Sequence, residues 1–216
     1  MRRLLDASRV RFALCRLLGR SPASSLASCV SCPTIIRINQ MSDVSLLISR
    51  RALRFDVENR PKTDAVYVFD TRGDGSVASR ITKLKIDGFS GVNGDGSINL
   101  HGIGVHIMPS TSASAPDEAA PKPSLRLFLN NHRPTLGANG QPVDNHKTGA
   151  NSTVEIFETT LGSDSMRHVK TFHDPLIRTP NRVAPVGPNS FLFSNDHYLK
   201  TGHQVSRTLC DAVSQC

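Results

Sequence analysis

From Val44 onward, apolar residues come in short runs that alternate with polar ones and break at Gly, Asn, Asp and Pro. That is the pattern of strands and turns. The runs are "VSLLI" (44–48), "DAVYVFDT" (64–71), "ASRITKLKI" (78–86), "NLHGIGVHIM" (99–108), "SLRLFLNN" (124–131), "STVEIFETT" (152–160), "MRHVKTFHD" (166–174), "RVAPVG" (182–187) and "SFLFSNDHY" (190–198). No stretch keeps a 3.6-residue period for three turns. Short strands about ten residues apart predict an all-β fold, whether sandwich, barrel or propeller. With blades of about 40–50 residues each, 41–216 would hold about three to four blades, an incomplete propeller. Two segments, "PSTSASAPDEAAPKPS" (109–124) and "HRPTLGANGQPVDNHKTGANS" (132–152), are too polar and too rich in Gly and Pro for regular elements. Both are expected to be long surface loops.

The first 40 residues differ in character. They hold seven Arg and a single acid, for a net +6, and their Leu, Val and Phe fall at amphipathic-helix spacing up to about Arg20. Such a leader resembles a mitochondrial targeting segment, or an extension upstream of a start at Met41, and is expected to lie outside the propeller. The expected organisation is therefore a leader over 1–40, a partial β-propeller over 41–200 and an irregular tail over 201–216.

Locating the charge changes its meaning. Of the net +8, the leader carries +6 and leaves +2 for residues 41–216. A nucleic-acid face would cluster Lys and Arg on the folded part with aromatic residues among them, and that pattern is absent. No apolar run approaches the 18 residues of a spanning helix. Cys15, Cys29, Cys32, Cys210 and Cys216 all lie near the ends, so no disulfide framework is expected between 33 and 209. "CVSC" at 29–32 is a lone pair without the four ligands of a zinc site.

All eight histidines fall between 101 and 203. His101 precedes a glycine, His132 ends an apolar run before Arg-Pro, Asn181 enters a strand behind Pro180, and Asp196-His197 leaves one. Imidazole titrates near neutrality and can take a proton from water. A second imidazole in contact can hold its tautomer and relay the proton. Amide and carboxylate oxygens are the hard donors that suit Ca²⁺, which can stabilise an oxyanion at an ester carbonyl. Each of these residues taken singly is equally a satisfied polar group at a strand end.

Their order is more specific. "LHGIGVHI", "LFLNNHRP", "STVEIFETT", "RHVKTFHDPLIRTPNRVAPVGPNSF" and "SNDHY" together resemble the paraoxonase/arylesterase family from about Asp64 to Tyr198. The resemblance implies a six-bladed propeller, related to gluconolactonase-like and strictosidine-synthase-like proteins, that hydrolyses carboxylic esters and lactones with calcium in its channel. It makes His101 the general base and His132 its partner, with Asp196 and His197 as near-site support. It makes Asn181 a ligand of the catalytic calcium and the Ile103 carbonyl a ligand of a second, structural calcium. Arg182 stands where the family has an aspartate ligand, and a cation cannot coordinate Ca²⁺, so that second site is expected to be absent or rebuilt. The other catalytic-calcium ligands would lie in later blades, and the chain is expected to be an N-terminal portion, inactive if those blades are missing. The alternative is a non-catalytic propeller module whose open blade edge pairs with a partner or with itself.

Overall fold

The computed structural model describes residues 34–37, 44–49, 64–71, 74–91, 98–109, 122–196, 199–201 and 211–214. Among them the fold is all-β. Strands β1 (Thr34–Arg37), β2 (Val44–Ser49), β3 (Ala65–Asp70) and β4 (Ile81–Lys83) form one antiparallel sheet in sequential order. Strands β6 (Leu100–Ile107), β7 (Ser124–Arg133), β8 (Asn151–Thr160) and β9 (Ser165–Phe172) form a second meander of the same kind. Its outer edge gains β5 (Lys85–Asp87), which runs parallel to β9. A third sheet takes β10 (Pro180–Pro185), β11 (Ser190–Asn195) and β12 (Asp211–Ser214).

The inner strands β7 and β8 of the central sheet bury side chains on both faces, as a sheet covered on both sides requires. On β7, Leu125, Leu127 and Leu129 enter one core with Val66, Leu84, Leu100, Ile103, Phe157 and Met166. Phe128, on the opposite face, enters a second core with Val154, Ile156, Phe172, Val183, Phe191 and Phe193. Burying a Phe of this kind stabilises by about 1.5–3 kcal/mol. The two cores glue the central sheet to its neighbours on either side.

The run expected as one strand over 78–86 divides into a 3-10 turn, Ala78–Arg80, and strands β4 and β5 in different sheets. Leu84 is the hinge. It is buried in the first core and its N–H donates to Val66 O at 2.9 Å. Beyond it, Lys85 pairs with Asp164 at 2.8 Å. That hydrogen bond raises the Lys85 pKa and lowers that of Asp164, but both groups face solvent and the pair contributes little.

The expected loop over 132–152 is shorter than its composition predicts. β7 runs on through Arg133, and β8 starts at Asn151. Between them sits one helical turn, α1 (Asn145–Thr148), because Asp144 Oδ1 accepts from His146 N at 3.0 Å and caps it. Two strands also fall where none was expected: β1 lies within 1–40 and β12 within 201–216. The targeting-like part of the leader, the loop over 110–121, and His197 and Tyr198 lie outside the described residues.

What matters most for a site is how closely β6 approaches β10. A Cβ on Gly102 would meet Asn181 O at 2.3 Å, and one on Gly104 would meet Pro185 Cδ at 2.5 Å and Val183 O at 2.8 Å. The two glycines therefore let one backbone lie directly on the other. Gly104→Ala should cost about 1–3 kcal/mol by overpacking, whereas Gly187→Ala, whose Cβ would meet nothing closer than 3.8 Å, should stay within about 0.5 kcal/mol of wild type. Urea unfolding of the two variants checks this, and equal stabilities would refute the close-packed seam.

Candidate active site

The seam between β6 and β10 is where the expected chemistry gathers. A register shift in the β6–β7 ladder between Leu100 and Ile103 puts both of those residues in the first core although they are three apart. The irregularity turns His101 toward β10. A matching shift between Pro180 and Arg182 makes Asn181 the extra residue of β10. The two bulges face each other, and His101 Nε2 lies 2.9 Å from Asn181 Oδ1.

Asn181 is oriented from its other side. Its Nδ2 donates to Asp196 Oδ1 at 2.5 Å. Asp196 Oδ2 stands 3.9 Å from His101 Nε2, with the imidazole 21% and the carboxylate 43% exposed. The site is thus open to solvent on the Asp196 side. His132, at the end of β7, meets the His101 ring edge to face, with centroids 4.9 Å apart and planes at 80°. Four of the residues singled out in the sequence, His101, His132, Asn181 and Asp196, therefore belong to one cluster.

Ile103 enters the structure differently from these four. Its side chain is buried in the first core and it pairs with Leu129 within the ladder. Arg182 points to solvent.

Several polar residues that the sequence reading passed over hold the cluster in place. Asn131, fully buried, accepts from Asn99 N at 2.9 Å and donates to Glu155 Oε1 at 3.2 Å. Asp64 Oδ2 accepts from Leu100 N at 2.8 Å, and Asn99 O accepts from His132 N at 2.8 Å. The backbone entering His101 is therefore fixed at three points. Glu155, also fully buried, accepts in addition from Thr153 Oγ1 at 2.6 Å and Thr171 Oγ1 at 2.5 Å and lies 3.2 Å from His168 Nε2. A buried carboxylate is tolerable only with such partners. Arg133, next to His132, has its pKa lowered by burial and held up by the charge of Glu155; it stays cationic.

Asn195 does the equivalent work on the third sheet. Its Oδ1 accepts from Arg178 N at 3.1 Å and Thr179 N at 3.0 Å, and its Nδ2 donates to Leu176 O at 2.9 Å. Asp196 N then donates to Thr179 O at 2.9 Å. The turn ahead of β10 is thereby tied to the end of β11, which sets Asn181 against Asp196. An asparagine one place before the conspicuous Asp-His pair was the available signal.

Whether these residues suit calcium can be judged from their donors. Ca²⁺ takes six to eight oxygens. The seam brings one carboxylate, Asp196, and the carboxamide of Asn181, whose oxygen is already on His101. Asn130 is fully buried with neither amide atom hydrogen-bonded, but Nδ2 is the atom it sets against Gly102. Among the described residues no group of three or more His, Cys, Asp or Glu side chains is placed to hold a metal ion. The donors are of the right kind and too few. By themselves they do not form a calcium site.

Comparison with known proteins gives the cluster its setting. Residues 138–209 match the family model Arylesterase. Over 104 residues, 48% of this chain, the sequence is 32% identical to serum paraoxonase/arylesterase 2 of Gallus gallus, of which the match spans 22%. Over 57 residues, 26% of this chain, it is 41% identical to serum paraoxonase/arylesterase 1 of Mus musculus, of which the match spans 16%. The Rattus norvegicus serum paraoxonase/arylesterase 1 is 43% identical over 50 residues, 23% of this chain and 14% of that protein. The matched stretches thus cover less than a quarter of these relatives' length. The all-β chain, with its imidazole pair at a sheet seam, thus resembles arylesterases over about a third of its length. Over these stretches it is similar to proteins of the paraoxonase/arylesterase family.

Asn195→Ala removes three part-buried hydrogen bonds that hold the turn ahead of β10 and should destabilise by about 2–3 kcal/mol. Denaturant unfolding measures it. A loss under about 0.5 kcal/mol would show that Asn195 does not hold the turn.

Proposed function

We propose that this chain hydrolyses carboxylic esters or lactones, with His101 as general base and His132 as its partner, on a β-propeller scaffold. One contact carries the proposal: His101 is held at Nε2 by Asn181 and flanked by the His132 ring. Consecutive antiparallel meanders, packed face on face through two cores, support the propeller reading.

In the hydrolytic step, water attacks the acyl carbon as its proton passes to His101. The bond from that carbon to the alkoxide or phenoxide then breaks, and the leaving oxygen takes the proton back. Asp196 favours the charged ring from 3.9 Å; its exposure limits that to on the order of 1 kcal/mol. Asp196 also accepts from the Asn181 amide and so orients it. No step is routed through calcium, since the described donors do not complete a site. The whole relatives are far longer than the matched stretch, so the substrates are proposed at the level of the ester or lactone bond.

Full-length protein assayed with phenyl acetate and a δ-lactone should show hydrolysis above buffer. His101→Gln should lower kcat/KM by at least about 100-fold, the usual worth of a general base, with an unchanged circular dichroism spectrum. A wild-type chain without hydrolysis sinks the proposal, and an unaffected variant removes His101 as the base.

A further inference from the structure

His132 is held from behind by a residue with no assigned role. Ser152 lies directly opposite His132 in the β7–β8 ladder and is 1% exposed. Its Oγ lies 3.0 Å from His132 Nδ1 and 3.2 Å from the carbonyl oxygen of Arg178. A hydroxyl has one proton to give. A carbonyl oxygen can only accept, so that proton goes to Arg178 O. The Ser152 oxygen must then accept from His132, and the imidazole must carry its hydrogen on Nδ1.

We propose that Ser152 is a positioning residue that locks neutral His132 as the Nδ1–H tautomer, leaving Nε2 as the nitrogen able to receive a proton. The lock spans three elements. His132 is on β7 and Ser152 on β8, while Arg178 sits in the turn that Asn195 ties down. The ring cannot turn over without breaking the Ser152 contact, and the His132 backbone is itself anchored on Asn99 O. The tautomer assignment stands on hydrogen-bond accounting alone. Its catalytic consequence, that a proton arriving on His101 is relayed to His132 Nε2, rests on the hydrolase proposal.

The two parts are separated by measuring the tautomer spectroscopically and the relay kinetically. Long-range ¹H–¹⁵N correlation spectra of full-length protein labelled in histidine distinguish protonated from unprotonated ring nitrogens, and His132→Gln assigns the His132 signals by their disappearance. The wild type should show Nδ1 protonated and Nε2 not, at a pH where the ring is neutral. Ser152→Ala should convert His132 to a mixture of tautomers, and Ser152→Thr, which keeps the hydroxyl, should restore the single form. A wild-type His132 protonated on Nε2, or a Ser152→Ala spectrum identical to wild type, overturns the proposal. Should Ser152→Ala not fold, the wild-type spectrum alone still decides. On the kinetic side, Ser152→Ala should lower kcat by about 10–100-fold, as for other groups that orient a functional ring from behind, with KM held. An unchanged kcat overturns the relay. The expected tautomer in a chain without esterase activity upholds the lock and rejects the hydrolase reading.

Discussion

Everything at the seam depends on two backbones lying closer than side chains allow. Gly102 and Gly104 are two residues apart and both open toward β10. A methyl group on either would separate the strands and carry Asn181 away from His101. Close-packed interiors accommodate such a change by shifting elements and not by compressing atoms. The short hydrogen-bonding distance between His101 and Asn181 is therefore a consequence of missing side chains. The two bulges then decide which residues use the proximity, since each supplies one side chain out of phase with its own strand.

Around this seam, buried amides and one buried carboxylate replace the regular ladder where the bulges interrupt it. Asn131 and Asn195 each satisfy backbone groups that the irregular strands leave over. Buried polar groups of this kind are costly unless fully paired, and paired they make one arrangement far better than its neighbours. Glu155 extends the same logic outward by joining β7, β8 and β9 beneath the site. The result is a semi-exposed imidazole on a rigid base, which is the usual division between chemistry and scaffold.

The strands were legible because their signal is local. Alternation between Val, Ile, Phe and polar residues marks β3, β7, β8 and β9 to within a residue or two of where they form. The failures have a common cause. The run over 78–86 reads as one strand because nothing in its alternation records that Leu84 is claimed by the neighbouring core. The loop over 132–152 reads as uniformly polar because a single helical turn with an aspartate cap has too few residues to show a period. β12 carries no pattern of its own and exists by pairing with β11.

For the site, residue types and order sufficed to single out His101, His132, Asn181 and Asp196. Those are the side chains whose chemistry is intrinsic to imidazole, amide and carboxylate groups. Their mutual geometry was not legible, since it links residues up to 80 positions apart through bulges and glycine contacts that no local pattern encodes. Nor were Ser152, Asn131 and Asn195, whose importance comes wholly from what they touch. The amino-acid sequence by itself determined that the chain builds β-sheets with these polar groups at strand ends, because propensity and alternation act over a few neighbouring residues. Only the tertiary structure decided that the groups meet, which amide faces which ring, and which nitrogen of His132 carries the proton, because those choices follow from packing and hydrogen-bond accounting across sheets.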